Sequence, residues 1–285
     1  FKEARLAGVT TVVIGPGSAN PIAGSLCAIK TAGICVDDMI VADNVGIKFA
    51  LGENPKNIYH EKDKSPYTRM AIVSLIREQL FKAKSYMQEK NEALANKDDL
   101  DPPEFDLKCE ALIPLLEKKI TAQFHAHRSD DIFTAIRIAK EFSLKYVIIH
   151  ATEGHLITDN LKKENACVLS GPFFANRSKP ELANLTPQSP GIMSNAKIQT
   201  AIITDHPETP IQYLSLCAAL AVREGMDKDE ALKAITINPA KICGIDDKVG
   251  SIAEGKDADL VLFKDDPLNL NSKPEMVFIK GVLQN

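Results

Sequence analysis

Five of the six histidines in this 285-residue chain lie in three short segments, each at the end of an apolar run. The segments hold His125 and His127 in FHAHR, His150 and His155 in IIHATEGH, and His206 directly after Asp205 in TDHP. Neutral imidazoles with one carboxylate form a ligand set that suits zinc and also manganese, iron or cobalt. A metal held this way lowers the pKa of bound water to about 7 and polarises a carbonyl. The sequence therefore predicts a divalent metal site, most simply zinc, with hydrolytic chemistry.

Each histidine also has a structural interpretation, because a single histidine at a strand end more often forms a hydrogen bond than binds metal. Three such segments in succession, the last with Asp205, favour the metal site. The sixth histidine, His60, lies in NIYHEKDK, which is predicted to be a charged loop, so His60 is predicted to be solvated. The role of His127 stays open between an alternative ligand, a substrate contact and a hydrogen-bond partner of a ligand.

Short apolar runs occur along the chain and predict buried strands, and three of them lead into the histidine segments. The runs are TTVVIG from Thr10 to Gly15, DMIVADN, VGIKFALGE, ITAQFHAH, YVIIHATE, ACVLSGP and TAIITDH. Amphipathic helical patterns separate many of them, notably at 130–142 and 209–224. Such alternation predicts a parallel sheet, either closed as a barrel or open and doubly wound. In a barrel the strand C-termini meet at one face, so the three histidine segments would converge there.

Two regions depart from this alternation. Between Tyr67 and Lys119, two longer helical stretches joined by the polar segment NEALANKDDLDPPE predict a helical insertion. After residue 247, VGSIAEGKDADLVLF and EMVFIKGVLQN have strand character and glycine turns with no helix between them. We therefore predict a barrel domain over 1–247, with its insertion at about 67–119, and part of a small β domain over 248–285. Asp257 and Asp259 in that part are predicted to be structural.

The composition argues against several classes of protein. The 34 lysines and arginines are scattered among 38 acidic residues, so the net charge is −4 and no basic stripe suggests nucleic acid or an anionic membrane. Six cysteines without a CxxC pair predict reduced thiols rather than disulfides or a thiolate zinc site. No run reaches the roughly 18 apolar residues of a membrane span. We therefore predict a cytoplasmic protein with a small-molecule substrate. A doubly wound fold with another activity is not supported, because the sequence has no GxGxxG or GxSxG segment.

The segments FHAHR, IIHATEG, ITDHP and ITINPAK, followed by VGSIAEGKDADLVLF, together resemble the amidohydrolase superfamily, in its imidazolonepropionase-related and prolidase-like branch. The resemblance implies a TIM-like (β/α)8 barrel with a small β-sandwich at the C-terminus. It also implies His125, His150 and Asp205 as metal ligands. Members with two metals bridge them with a carboxylated lysine, and Lys48 in VGIKFALGE is the candidate here; the alternative is a lysine that reaches solvent from the strand end.

The resemblance further implies hydrolysis of a C–N bond in an amide, a cyclic amide or a peptide. Asp205 would take a proton from the attacking water and pass it to the leaving amine. Candidate donors to the substrate carbonyl are His127, Arg128 and His206. Glu153 either orients a ligand or caps the following helix. A mononuclear deaminase is the alternative activity, and metal stoichiometry separates it from a binuclear hydrolase.

One feature of the family is missing from the sequence. Its members carry an HxH pair at the end of strand one, and no histidine precedes His60 here. The segment FKEARLAG resembles the end of a helix, so we expect strand one, its HxH pair and half of the β-sandwich to precede Phe1 in a longer protein. A degenerate paralogue that binds ligand without turnover is the alternative. Apolar helix faces in the insertion suggest a homo-oligomer.

Overall fold

Seven strands form one curled sheet in the computed structural model, which describes residues 1–96 and 99–284. In chain order they are β1 (Thr11–Ile14), β2 (Ile22–Lys30), β3 (Ile40–Ala50), β4 (Thr121–Ala126), β5 (Tyr146–His150), β6 (Cys167–Ser170) and β7 (Gln199–Ile202). Their order in the sheet is the order in the chain. β1 pairs antiparallel with β2 and β2 with β3, whereas β3 to β7 pair in parallel. The C-terminal ends of β3 to β7 therefore meet at one edge.

Eleven α-helices occur in the described ranges, and most of those after β3 alternate with the parallel strands. They are α1 (Lys2–Leu6), α2 (Val36–Met39), α3 (Glu53–His60), α4 (Arg69–Ala95), α5 (Leu107–Leu116), α6 (Ser129–Glu141), α7 (Thr158–Lys163), α8 (Ser189–Asn195), α9 (Leu214–Arg223), α10 (Lys228–Ala234) and α11 (Ile237–Ile242). This confirms the predicted α/β fold of barrel type, as a half-barrel whose sheet has β1 and β7 at its ends in the described part of the chain. None of the helices described is both long enough and apolar enough to cross a membrane.

The parallel strands alternate between two hydrophobic cores, as the period of two in a strand requires. Phe124, Ile148 and Val168 lie in a core shared with α4, α5 and α6. Val147 and Ile149 face the opposite way, into a core that includes residues of α11. His125 is in register with Ile149, and Lys48 is in register with Gln123. The predicted ligands on β3 and β4 therefore lie on the face of the sheet that is opposite α4, α5 and α6.

The two longer helical stretches expected between residues 67 and 119 are α4 and α5, which pack against one face of the sheet. Ile72, Ile76 and Leu80 recur every four residues along α4 and are fully buried against it. Thr68 caps the start of α4 and Asp106 the start of α5 by accepting backbone hydrogen bonds. The polar connection between the two helices includes residues 97 and 98, which lie outside the described residues.

Several local predictions were wrong. β2 was not predicted, because the glycines and prolines of GPGSANPIAG indicate a loop although the strand begins within it at Ile22. DMIVADN and VGIKFALGE are largely one strand, β3, with α2 before it. The segment that holds His60 is helical and forms α3. Pro55 fits in its first turn because the backbone N–H groups of a first turn have no partner within the helix, so proline loses no hydrogen bond there. The single helix expected at 209–224 is a 3-10 turn at Ile211–Tyr213 followed by α9.

The C-terminal segment forms a second, antiparallel sheet. Its strands β8 (Leu260–Phe263), β9 (Pro274–Ile279) and β10 (Val282–Gln284) are ordered β10-β9-β8. Lys30, at the end of β2, is buried and its Nζ lies 2.8 Å from carboxylate oxygens of both Asp257 and Asp259. These two aspartates therefore join the small sheet's segment to the larger sheet, which agrees with their predicted structural role.

Candidate metal centre

Three histidines from two adjacent strands form a buried cluster at the C-terminal edge of the sheet. His125 lies in β4, His127 follows it two residues later, and His150 ends β5. One ring nitrogen of each lies within 4.8 Å of the others, and each residue is at most 5% exposed. Their ring centroids are 4.4 to 4.7 Å apart. The structure thus brings His127 into the same group as the two predicted ligands.

The backbone at the end of β5 turns His150 into this cluster. By alternation His150 would point the same way as Ile148, into the core beneath the helices. Instead His150 has a φ of +75° and Ala151 a φ of +44°, a region that side chains other than glycine rarely occupy. Such a conformation costs about 1–3 kcal/mol and persists where surrounding structure enforces it, most often at functional sites.

The ring nitrogen Nδ1 of each histidine has a polar partner. His125 Nδ1 lies 2.9 Å from Ser18 Oγ, and His127 Nδ1 lies 2.7 Å from Thr152 Oγ1. His150 Nδ1 lies 2.7 Å from the carbonyl oxygen of Gly171, to which it must donate. His150 Nε2 is then a lone-pair acceptor when the ring is neutral. Metal-binding histidines are held by their second nitrogen in this way.

The other ring nitrogen, Nε2, has no hydrogen-bond partner among the described residues in two of the three histidines. Nε2 of His125 and of His150 are buried and contact no donor or acceptor with hydrogen-bond geometry in the described residues. Buried polar atoms without a partner are rare in native proteins and call for a missing ion, water or ligand. Converging imidazole nitrogens that are already oriented by their Nδ1 partners therefore fit a divalent metal.

Burial keeps all three rings neutral, which is the form that binds metal. Desolvation lowers the pKa of His125, His127 and His150 below the ordinary value of 6.5. For His125 and His127, the neighbouring rings lower the pKa further. The negative charge of Asp205 partly offsets the effect at His150. No ring therefore has to lose a proton before it binds a cation at neutral pH.

Lys48 lies on β3 and is 7% exposed, so it does not reach into solvent from the strand end. Burial lowers its pKa, and the opposite charge of Asp205 partly offsets this effect. Its positive charge in turn lowers the pKa of all three clustered histidines. A buried lysine with a lowered pKa has a larger neutral fraction, the form that reacts with carbon dioxide.

Asp205 follows β7 in an exposed turn with a φ of +49°. Its charge acts on both Lys48 and His150, so the turn brings the carboxylate to the same edge as the cluster. His206 is exposed beside it, and its Nδ1 accepts a hydrogen bond of 3.3 Å from the backbone nitrogen of Ile211. The exposed position leaves Asp205 open to solvent while the histidines are buried.

The remaining predicted residues contact neighbours at the start of α6. Arg128 binds Asp130 through two hydrogen bonds of 3.0 and 2.9 Å, so its guanidinium is engaged by a carboxylate. Glu153 accepts a hydrogen bond of 2.7 Å from the backbone nitrogen of Ser129. Glu153 therefore caps a helix, although it is α6 and not the helix that follows it in sequence. His155 lies in the 3-10 turn Gly154–Leu156, outside the group of three.

Sequence reasoning missed three residues that contact the cluster. Ser18 and Thr152 hold the Nδ1 atoms of His125 and His127. Glu181 is 1% exposed, and its Oε1 lies 3.7 Å from His127 Nε2 and 4.0 Å from His125 Nε2. Thr152 could have been found from its place in HATEG, but Ser18 and Glu181 lie in irregular segments where no strand end marks them.

Comparison with known proteins agrees with this fold. The Amidohydrolase family model matches residues 117–283. A crystal structure of an amidohydrolase from Thermotoga maritima MSB8 is 43% identical, with a TM-score of 0.94 over 99% of this chain and 73% of that one. Amidohydrolase tasK of Hapsidospora irregularis is 26% identical over 97% of this chain. Imidazolonepropionase of Thermoplasma acidophilum is 44% identical over 22% of this chain and 14% of its own length.

The matches differ in how much of each relative they cover. This chain spans only 30% of the length of tasK, but 73% of the Thermotoga maritima chain. The family model covers more than half of the residues, and the Thermotoga maritima structure superposes on nearly all of them. The chain belongs to the amidohydrolase family.

Proposed function

We propose that this chain belongs to a metal-dependent hydrolase that cleaves C–N bonds in a small molecule. The observation that carries the proposal is the cluster of His125, His127 and His150. All three rings are buried and neutral, each Nδ1 atom has a polar partner, and one ring nitrogen of each lies within 4.8 Å of the others. In the described part of the chain His125 Nε2 and His150 Nε2 are buried without a hydrogen-bond partner, which a bound cation would explain.

The three histidines would hold a divalent ion, with zinc the simplest choice for nitrogen ligands. When bound, such a metal lowers the pKa of water and polarises a substrate carbonyl. Asp205 and Lys48 lie close enough for their charges to act on His150. They are the candidates for further ligands, Lys48 as a carbamate if two ions are present.

Asp205 would move the proton in this reaction. Its carboxylate is exposed, so it can accept a proton at Oδ from an incoming water and give it to the nitrogen of the leaving group. His206 is exposed in the same turn and can donate to a substrate. Arg128 is bound to Asp130, so it must leave that partner before it can contact a carbonyl.

A cavity of about 210 Å³ lies between the loops that follow β6 and β7. Its lining residues are Phe174, Glu208, Thr209, Pro210, Tyr213 and Leu216. The loop that carries Asp205 also supplies Glu208, Thr209 and Pro210 to this cavity, and we propose that a substrate bound at Asp205 places an apolar group there. We therefore propose an amide, cyclic amide or dipeptide with an apolar side chain as the substrate.

All six cysteines are free in the described structure, which supports a reducing, cytoplasmic location. We propose neither a nucleic-acid partner nor a membrane, because the charges are mixed. Exposed apolar residues of the insertion, such as Phe81 and Leu75, support a homo-oligomer.

The proposal is tested by assaying the metal-loaded chain against N-acyl amino acids, dipeptides, cyclic amides and aminopurines. Asp205→Asn should reduce turnover at least about 100-fold, the lower range for a residue that moves a proton in the transition state. Asp229→Asn, an exposed change on α10, is the matched control and should be neutral. Turnover of aminopurines alone, with one metal per chain, would favour the deaminase alternative. Metal binding without turnover of any compound would favour the ligand-binding paralogue.

A further inference from the structure

The loop between β6 and α8 buries a carboxylate next to the histidine cluster. Glu181 lies in the 3-10 turn Pro180–Leu182 and is 1% exposed. Its Oε2 accepts a hydrogen bond of 3.0 Å from the backbone nitrogen of Glu53. A side chain at Gly52 would place its Cβ 2.7 Å from this oxygen, so the glycine makes room for the carboxylate. The end of β3 is thus shaped around one oxygen of Glu181.

The other oxygen points towards the histidines. Oε1 lies 3.7 Å from His127 Nε2 and 4.0 Å from His125 Nε2. Within the described ranges His125 Nε2 and His150 Nε2 have no hydrogen-bond partner, and Oε1 has only the Lys179 ammonium beside it, at 2.6 Å and outside hydrogen-bond geometry. A carboxylate oxygen accepts only, and His150 Nε2 must also accept because Nδ1 donates to Gly171. A cation bound at the three histidines and within reach of Oε1 would satisfy these buried acceptors.

We propose that Glu181 supplies Oε1 to the metal centre as a ligand that sequence motifs do not reveal. This inference rests on the proposed metal centre and extends it. The carboxylate would offset part of the charge that a divalent ion brings into a buried site. It would also couple the β6 loop to the metal, because the ion would hold Glu181 while Glu181 holds the end of β3.

Lys179 offers a competing explanation for the position of Glu181. Its Nζ lies 2.6 Å from Oε1, outside hydrogen-bond geometry, and donates to Asn54 Oδ1 at 2.7 Å. An ion pair with Lys179 alone would bury the carboxylate for structural reasons. The two explanations predict different effects of removing Lys179. If Glu181 is a metal ligand, the metal no longer competes with the ammonium for Oε1, whereas if the ion pair is structural, Glu181 loses the partner that holds it in place.

The test measures Co²⁺ binding to the full chain by calorimetry and by the visible absorption of the bound cobalt. Glu181→Gln keeps the shape and the hydrogen bond to Glu53 but removes the charge. We expect it to weaken Co²⁺ binding at least about tenfold, because loss of a group that only holds a metal ligand in place already costs about that much. It should also change the cobalt spectrum. Lys179→Met should bind Co²⁺ as tightly as the wild type or more tightly, and Glu141→Gln, which removes a surface ion pair with Arg77, should be neutral.

Three results would overturn the inference. Unchanged binding and spectrum in Glu181→Gln would mean that the carboxylate is structural. Equal weakening in Glu181→Gln and Lys179→Met would mean that the ion pair, and not the oxygen, supports the site. Absence of Co²⁺ binding by the wild type would instead refute the metal centre itself. Melting curves of both variants in EDTA show whether each is folded, and Glu181→Asp, which keeps the charge with a shorter reach, provides a second variant if Glu181→Gln does not fold.

Discussion

The imidazole rings of His127 and His150 are stacked, with their centroids 4.4 Å apart and their planes 14° from parallel. The two residues come from adjacent strands, and regular alternation would direct His150 into the core under the helices. The left-handed backbone at His150 and Ala151 redirects it. These stacked rings have one nitrogen each within 4.8 Å of the other and of His125, so the three residues could hold a shared cation.

Thr152 should support the metal through His127. Thr152→Val preserves the shape of a buried side chain but removes the hydroxyl that lies 2.7 Å from His127 Nδ1. We expect metal affinity to fall roughly 10–100-fold, as is typical when a ligand loses the group that orients it. Calorimetric titration with Zn²⁺ measures this loss. Thr134→Val, which removes a hydroxyl bonded to Asp130 on the surface of α6, is the control. Equal affinities of the Thr152 variant and the wild type would remove Thr152 from the site.

Glu153 should contribute to stability and not to metal binding. Its carboxylate accepts from Ser129 at the start of α6 and from the Asn184 side chain. Glu153→Ala removes this cap, so the free energy of unfolding should fall by about 1–2 kcal/mol. Urea denaturation measures the change, and metal content should stay at the wild-type level. Loss of metal from a folded Glu153→Ala protein would instead support the alternative in which Glu153 orients a ligand.

The strand-end residues could be predicted because a parallel sheet gathers its C-terminal ends. His125, His150 and Asp205 follow apolar runs, and the structure brings them to one edge. Glu181 could not be predicted, because its place depends on how an irregular loop folds back over β3. The turn of His150 into the cluster could not be predicted either, because regular alternation points its side chain the other way.

Similar limits apply to the fold. The helices of the insertion were predictable from the apolar spacing that buries Ile72, Ile76 and Leu80. β2 and α3 were not predictable. Glycine and proline in these segments indicate loops, and the sequence does not show the tertiary contacts that stabilise a strand or a helix there. Ser18 lies just before β2, so missing that strand also meant missing the partner of His125 Nδ1.

The metal-free protein should lose stability as the pH falls from 7 to 5. Burial lowers the pKa of His125, His127 and His150 below the ordinary 6.5, so the folded chain binds fewer protons than the unfolded chain. Stability therefore rises with pH and is lost as the pH falls through about 6.5, by up to about 2 kcal/mol for each histidine at pH 5.

Urea denaturation in EDTA at the two pH values measures this loss. His60→Gln, a change at an exposed histidine, should keep the full dependence, whereas a folded His150→Ala protein should show a smaller one. The same pH dependence in His150→Ala and the wild type would mean that the buried ring is not the source.

The most direct test of the metal centre is elemental analysis of the purified chain beside two single variants. The wild type should hold roughly one or two divalent ions after loading with zinc. His150→Ala should hold none or nearly none, while His155→Ala, which removes a histidine just outside the cluster, should match the wild type. A wild type without bound metal, or a folded His150→Ala protein with full metal content, would contradict the central claim.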